Sequence, residues 1–271
     1  MLPPMITSKN LGWTAAILIP LNLLLFLILP DGSLSMRYVS DFMPILTSLI
    51  ACYCLFLAFK SFKTFDHTKL SWMLILIGTI LNMLAESTYA FLEIYAHIDM
   101  SESFPTLADV FWCNAYLPLV SGMWVLYWAY KKSGFPMGNT KLYWLFATLF
   151  SIVISCVILY LLIPVMQDDE TTLIAKIFYL FYPVADLFLV IPAVILMYIT
   201  SLFGTAILSK PLRFLTIGFI FMTVADLIYS VLDWQDLYSN GNYTDLLWNA
   251  GYLAIGIAAL RQKELIESFK I

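Results

Sequence analysis

Eight long apolar runs alternate with short polar segments along this chain. They lie at 11–30, 42–60, 70–96, 106–130, 142–164, 174–203, 213–233 and 245–261, each long enough to cross hydrocarbon as a helix. Prolines inside the runs (Pro20, Pro44, Pro118 and Pro192) read as kinks, which a bundle tolerates when neighbouring helices satisfy the freed carbonyls. The first run is longer than a signal-peptide core and no small-residue cleavage site follows it, so it reads as a first span.

The short segments sort by charge. Lys60, Lys63 and Lys69 follow run two, Lys131, Lys132 and Lys141 follow run four, and Lys210 and Arg213 follow run six. Arg261, Lys263 and Lys270 follow run eight, whereas the alternate loops carry Asp99 and Glu102, then Asp168, Asp169 and Glu170, then Asp236. Positive loops mark the cytoplasmic side, which predicts both termini inside and the acidic loops outside. Trp13, Trp72, Trp124, Trp128 and Trp144 fall near the inner ends of runs, as an interfacial aromatic belt would. The expected fold is all-α: a multi-pass bundle of eight transmembrane helices in the cell (cytoplasmic) membrane of a prokaryote, one domain over 1–271.

Polar residues inside the runs repeat. Ala85-Glu86-x-x-Tyr89-x-x-x-Glu93 returns 140 residues later as Ala225-Asp226-x-x-Tyr229-x-x-x-Asp233. Asp109-x-x-Trp112-x-x-x-Tyr116 returns after 136 residues as Asp245-x-x-Trp248-x-x-x-Tyr252. Asp41 and Asp186 are paired in the same way at a separation of 145. The order and spacing predict two parallel four-helix repeats, about 9–132 and 140–262, related by an axis along the membrane normal.

At helical spacing each acid-x-x-Tyr-x-x-x-acid copy puts two carboxyls and a phenol on one face. Intramembrane acids are costly and usually functional. The candidate ligand-binding set is therefore Glu86, Tyr89, Glu93, Asp109, Tyr116, Asp186, Asp226, Tyr229, Asp233, Asp245 and Tyr252, around an acidic, aromatic cavity open to the outside. Glu86, Asp226 and Asp186 are the deepest, with no intramembrane Lys or Arg expected beside them. The competing reading makes these acids protonated links between helices. Glu93 and Asp233 are expected at the rim, Asp109 and Asp245 as helix caps that also line the mouth, and Trp112 and Trp248 as packing residues.

Composition narrows the chemistry. The chain is 62% hydrophobic and 12% charged, with a net charge of −4 and no basic stripe, which excludes nucleic acid as a partner. Membrane lipids are the expected surroundings. A bound cation is the expected cofactor class; the seventh run has no lysine for a retinal Schiff base. Four cysteines without ligand spacing read as packing thiols, and no Ser/His/Asp set, P-loop or His-Glu-x-x-His occurs.

The run Phe104-Pro105-Thr106-Leu107-Ala108-Asp109-Val110-Phe111-Trp112 resembles multi-helix membrane sensor domains that precede prokaryotic diguanylate cyclase or histidine kinase modules. The segment Asp245-Leu246-Leu247-Trp248-Asn249-Ala250-Gly251-Tyr252-Leu253 resembles their last span. That resemblance implies a ligand sensor, here expected to stand alone because eleven residues follow Leu260. The tail 261–271 is open to two readings, a frayed end or a contact for a cytoplasmic signalling partner. The acid motifs Ala85-Glu86 and Ala225-Asp226 also resemble those of the eight-helix lysoplasmalogenase family. That likeness implies an intramembrane lipid hydrolase using Glu86, Asp226 and Asp186 around a water. A small cation or amine transporter is the third expectation, from the parallel repeat and the midplane acids.

Overall fold

A computed structural model describes residues 7–98, 100, 103–134, 136–202 and 206–269, without the side chains of 206–208. Asp99, Glu102 and Lys270, part of the loop-charge pattern, lie outside the described residues, as does the last residue of the tail. Among the described residues the chain is wholly helical, with eight long helices. They are α1 (Ser8–Ile28), α2 (Leu34–Ser61), α3 (His67–Ala90, extended by a π turn at Phe91–Tyr95), α4 (Leu107–Lys132), α5 (Thr140–Val157, continued through a π turn at Ile158–Leu162 to Ile163–Gln167), α6 (Leu173–Ser201), α7 (Ala206–Trp234) and α8 (Tyr243–Ser268). Seven, α1 to α7, are long and apolar enough to cross a membrane.

Side-chain oxygens set most of the helix starts. Ser33, Asp66, Thr106, Thr172 and Asn242 each cap a helix by accepting a backbone N–H of its first turn. The Ser33 cap explains why α2 begins well before its apolar run. Ser35, Arg37, Ser40 and Asp41 are polar yet lie in the helix; Ser40 and Asp41 are buried against protein.

α3 packs along α4 and α7 along α8, while α2 touches both α3 and α8, and α6 touches both α4 and α7. α1 lies beside α8. The two long crossings are close ones. A Cβ on Gly78 of α3 would sit 2.4 Å from Leu119 Cγ and 3.0 Å from the Ala115 carbonyl oxygen of α4. A Cβ on Gly218 of α7 would sit 2.9 Å from both the Gly251 carbonyl oxygen and Ile255 Cγ1 of α8. Small residues let helices approach in this way where no hydrophobic effect drives them together.

The bundle is apolar outside and mixed within. Trp13, Ile17 and Leu27 of α1 and Trp144, Leu159 and Tyr160 of α5 are exposed. α8, the least apolar helix, is continuously buried from Gly251 to Leu260. Trp72, assigned above to the interfacial belt, is instead a core residue at 1% exposure. Beyond Leu260 the tail stays helical and half-buried, and Glu264 accepts from both the backbone N and the Oγ of Ser8 at 2.8 Å. The tail is thus tied to the start of α1.

Candidate functional site

The acids of α3, α4, α7 and α8 face inward because the outer surfaces of these helices are apolar. Helices that meet lipid with one face must bury their polar positions against one another. The result is a cavity between α2, α3, α4, α6, α7 and α8. Six carboxyls line it: Asp41, Glu86, Asp109, Asp186, Asp226 and Asp245. Nine aromatic rings interleave with them, including Tyr89, Trp112, Tyr116, Tyr229, Trp248 and Tyr252. Met100, Phe104 and Tyr238, from the segments joining α3 to α4 and α7 to α8, put the mouth at that end of the bundle. Among the described residues no lysine, arginine or histidine lines the cavity.

Two carboxyls deep in the cavity are held in matching ways. Glu86 Oε1 accepts from the Tyr252 hydroxyl at 2.7 Å, and the indole of Trp112 lies beside its carboxyl. Asp226 Oδ1 accepts from Trp248 Nε1 at 2.7 Å, and Tyr116 Oη lies 3.0 Å from Oδ2. Each carboxyl therefore meets an indole from the partner helix of its own pair and a phenol from the other pair. Tyr89 and Trp112 pack with ring centroids 5.9 Å apart, and Tyr229 and Trp248 at 5.5 Å.

Asp186 breaks the match. Its Oδ1 lies 2.8 Å from Tyr116 Oη, the same oxygen that contacts Asp226. A phenol has one proton to donate, so both contacts are hydrogen bonds only when one of the two acids is itself protonated. The second oxygen of Asp186 has no partner although the residue is 1% exposed; the Thr223 hydroxyl lies near it.

Asp109 and Asp245 belong to the first turns of α4 and α8. Asp109 Oδ2 accepts from Thr106 N at 2.7 Å in a capping box, and its Oδ1 accepts from Tyr182 of α6 at 2.7 Å. Asp245 accepts from Ser40 of α2 at 2.6 Å and from Tyr238 at 2.8 Å. Burial, and then the charge of Asp245, push the Tyr238 phenol well above its ordinary value, so it remains a donor at the mouth.

Nine of the eleven candidate residues line the one cavity. Glu93 and Asp233 do not. Glu93 is buried at 7% exposure, where Asn240 Nδ2 donates to it at 2.6 Å and Arg37 Nε lies 3.8 Å away. Asp233 accepts from Tyr179 of α6 at 2.7 Å. The expected solvated rim is replaced at these two positions by contacts between helices. Arg37 is a basic residue inside a helix that the apolar pattern missed.

The pairing of Asp41 with Asp186 is also corrected. Arg37 meets Glu93 as Tyr179 meets Asp233, and Ser40 meets Asp245 as Tyr182 meets Asp109. Those contacts register α2 on α6 so that Asp186 stands opposite Pro44. Asp41 lies nearer the mouth, with its carboxyl facing that of Glu93.

Three groups of lining residues escaped the sequence pattern. Ser40 and Asp41 fell before the apolar run of α2. Tyr182 and Tyr238 have no repeated spacing. Trp112 and Trp248 were in the repeat but were assigned to packing; their indole N–H groups, the only polar atoms of those side chains, were the signal to weigh.

The chemistry available is that of carboxylates, phenols and ring faces, suited to a positively charged ligand. Among the described residues, no three His, Cys, Asp or Glu side chains converge as a metal-ion site. No family model matches the chain, and no match is found among curated proteins or solved structures.

Proposed function

We propose that this is an eight-span membrane protein of two parallel four-helix halves whose outward-facing cavity binds a small organic cation. The observation that carries the reading is one cavity lined by six carboxyls and nine aromatic rings without a basic residue among those described. Six carboxylates so enclosed repel one another and need protons or a bound cation to offset them. Aromatic faces beside carboxylates favour an organic ammonium, which gains from both charge and the ring quadrupole.

α8 supplies the eighth span in this reading. From Tyr243 to Leu260 it extends about 27 Å, close to the hydrocarbon thickness of about 30 Å, and it packs against α1, α2 and α7. Duplication is supported by the matched crossings at Gly78 and Gly218 and by the two matched carboxyl settings. The positive loops favour an orientation with both termini in the cytoplasm. Ligand-dependent movement of one half against the other would make the protein a sensor, read on the cytoplasmic side through the helical tail.

Native mass spectrometry from gentle detergent, after incubation with n-butylammonium, tests the reading. The wild type should carry the amine mass, and the Glu86→Gln/Asp226→Asn double variant should lose it. Equal amine on both, or on neither, would overturn the assignment.

One feature favours a second reading. Asp186 and Asp226 flank a single phenol, an arrangement that lets one acid hold a proton while the other accepts one. An intramembrane hydrolase of the lysoplasmalogenase kind would use that pair with Glu86. Release of aldehyde from a vinyl-ether lysolipid, lost in Asp186→Asn, would establish it.

A further inference from the structure

Within the cavity, the unit that suits an ammonium group occurs twice. Glu86 stands beside the Tyr89–Trp112 ring pair, and Asp226 beside the Tyr229–Trp248 ring pair. Each carboxyl has a tryptophan indole and a tyrosine neighbour, which leaves lone pairs of the four available to a carboxylate for a ligand N–H. A ligand with one charged head can use one unit at a time. The other unit then keeps an unneutralised acid in a buried setting. A second observation points to a missing partner: Asp186 lines the cavity, and its buried Oδ2 has no hydrogen bond, with the Thr223 hydroxyl as a neighbour.

We infer that the ligand is an organic dication, two ammonium heads joined by an apolar chain, with one head at each carboxylate–aromatic unit. The inference rests on the organic-cation reading above and deepens it to a ligand class. The non-polar part of the wall, including Leu119, Leu189 and Met222, suits the methylene chain between the heads. Two heads on one chain bind with an advantage set by effective concentration, and only when the chain spans both units. Affinity should therefore depend on chain length and pass through a maximum, which added charge alone would not produce.

Isothermal titration calorimetry in detergent compares n-butylamine with α,ω-diaminoalkanes from diaminopropane to diaminooctane, all at neutral pH. The best diamine should bind at least tenfold more tightly than butylamine, within the range that linked heads provide. Glu86→Gln and Asp226→Asn should each bring that diamine to within about threefold of butylamine. The wild-type length series needs no variant, so a misfolded mutant does not remove the test. Equal affinity for butylamine and every diamine, or a monotonic rise with chain length, would overturn the two-headed ligand while leaving the cation cavity intact. Binding of none of these amines would overturn the cavity reading as well.

Discussion

Around Glu86 and around Asp226 the same parts recur, but their surroundings differ. Glu86 is held by Tyr252 and Trp112 with Pro44 on the facing helix; Asp226 is held by Trp248 and Tyr116 with Asp186 on the facing helix. The helix pairs that carry the two carboxyls each cross closely at one glycine, Gly78 in one and Gly218 in the other. The helices that close over them, α2 and α6, differ. One extra carboxyl on the facing helix therefore changes the chemistry available at one of two similarly built sites.

The largest effect expected from breaking the comparison is at the crossings. Ala at Gly78 meets the Leu119 side chain first, at 2.4 Å, with the Ala115 backbone oxygen at 3.0 Å, whereas Ala at Gly218 meets the Gly251 backbone oxygen as closely as Ile255, at 2.9 Å. Each substitution should cost about 1–3 kcal/mol by overpacking, measured as loss of thermal stability in detergent. Leu119→Ala should restore much of the loss in Gly78→Ala. Ile255→Ala should restore less in Gly218→Ala, because a backbone oxygen cannot be trimmed away.

Next comes the equivalence of the two units. Trp112→Leu and Trp248→Leu each remove a ring face and an indole donor from one carboxyl. Both should weaken diamine binding, by about 1–2 kcal/mol for a desolvated ring face, and to within a factor of two of each other. Calorimetry on the two variants checks this. A loss confined to one of them would mean that the units are alike in form only.

The extra acid gives a smaller effect of different kind. With Tyr116 supplying one proton to two acids, the Asp186–Tyr116–Asp226 group holds a further proton that a bound ammonium would displace. Diamine binding should then release a proton in the wild type and release less in Asp186→Asn. Titrations in buffers of different ionisation enthalpy count those protons.

The smallest effect lies outside the cavity. Asp168 accepts from the Thr171 hydroxyl, the Trp234 indole and the Glu170 amide, and these bonds hold its carboxyl down from its ordinary 3.8 to about 2. A lowered folded-state value means that the stabilisation is complete above the ordinary value and is lost as pH falls through about 2. The stability difference between wild type and Asp168→Asn should be small and flat from neutral pH down to about 5, then vanish in strong acid.

Much of this arrangement was legible in the sequence because charge inside apolar runs is rare. The acids and tyrosines at helical spacing, with their echoes, pointed to residues that now line one cavity. What was hidden has a common physical cause: hydropathy reports contact with lipid, not position in the bundle. The polar start of α2 precedes its apolar run, so Ser40 and Asp41, which line the cavity, were not among the candidates although Asp41 was paired with Asp186. α8 is the least apolar helix and the most enclosed. Partners from distant elements, such as Asn240 and Arg37 on Glu93 or Tyr179 on Asp233, leave no periodic trace. The register of α2 on α6 is set by those contacts, so pairing Asp41 with Asp186 by type alone went one turn astray.

The central claim is that two carboxylate–aromatic units face one ligand. Fluorine NMR of protein labelled with fluorotryptophan reads it directly, with the Trp112 and Trp248 signals assigned by Trp112→Phe and Trp248→Phe. Addition of the best diamine should shift both signals along one saturation curve and leave the exposed Trp13 and Trp144 unmoved. A shift of only one cavity tryptophan, or of neither, would contradict the account.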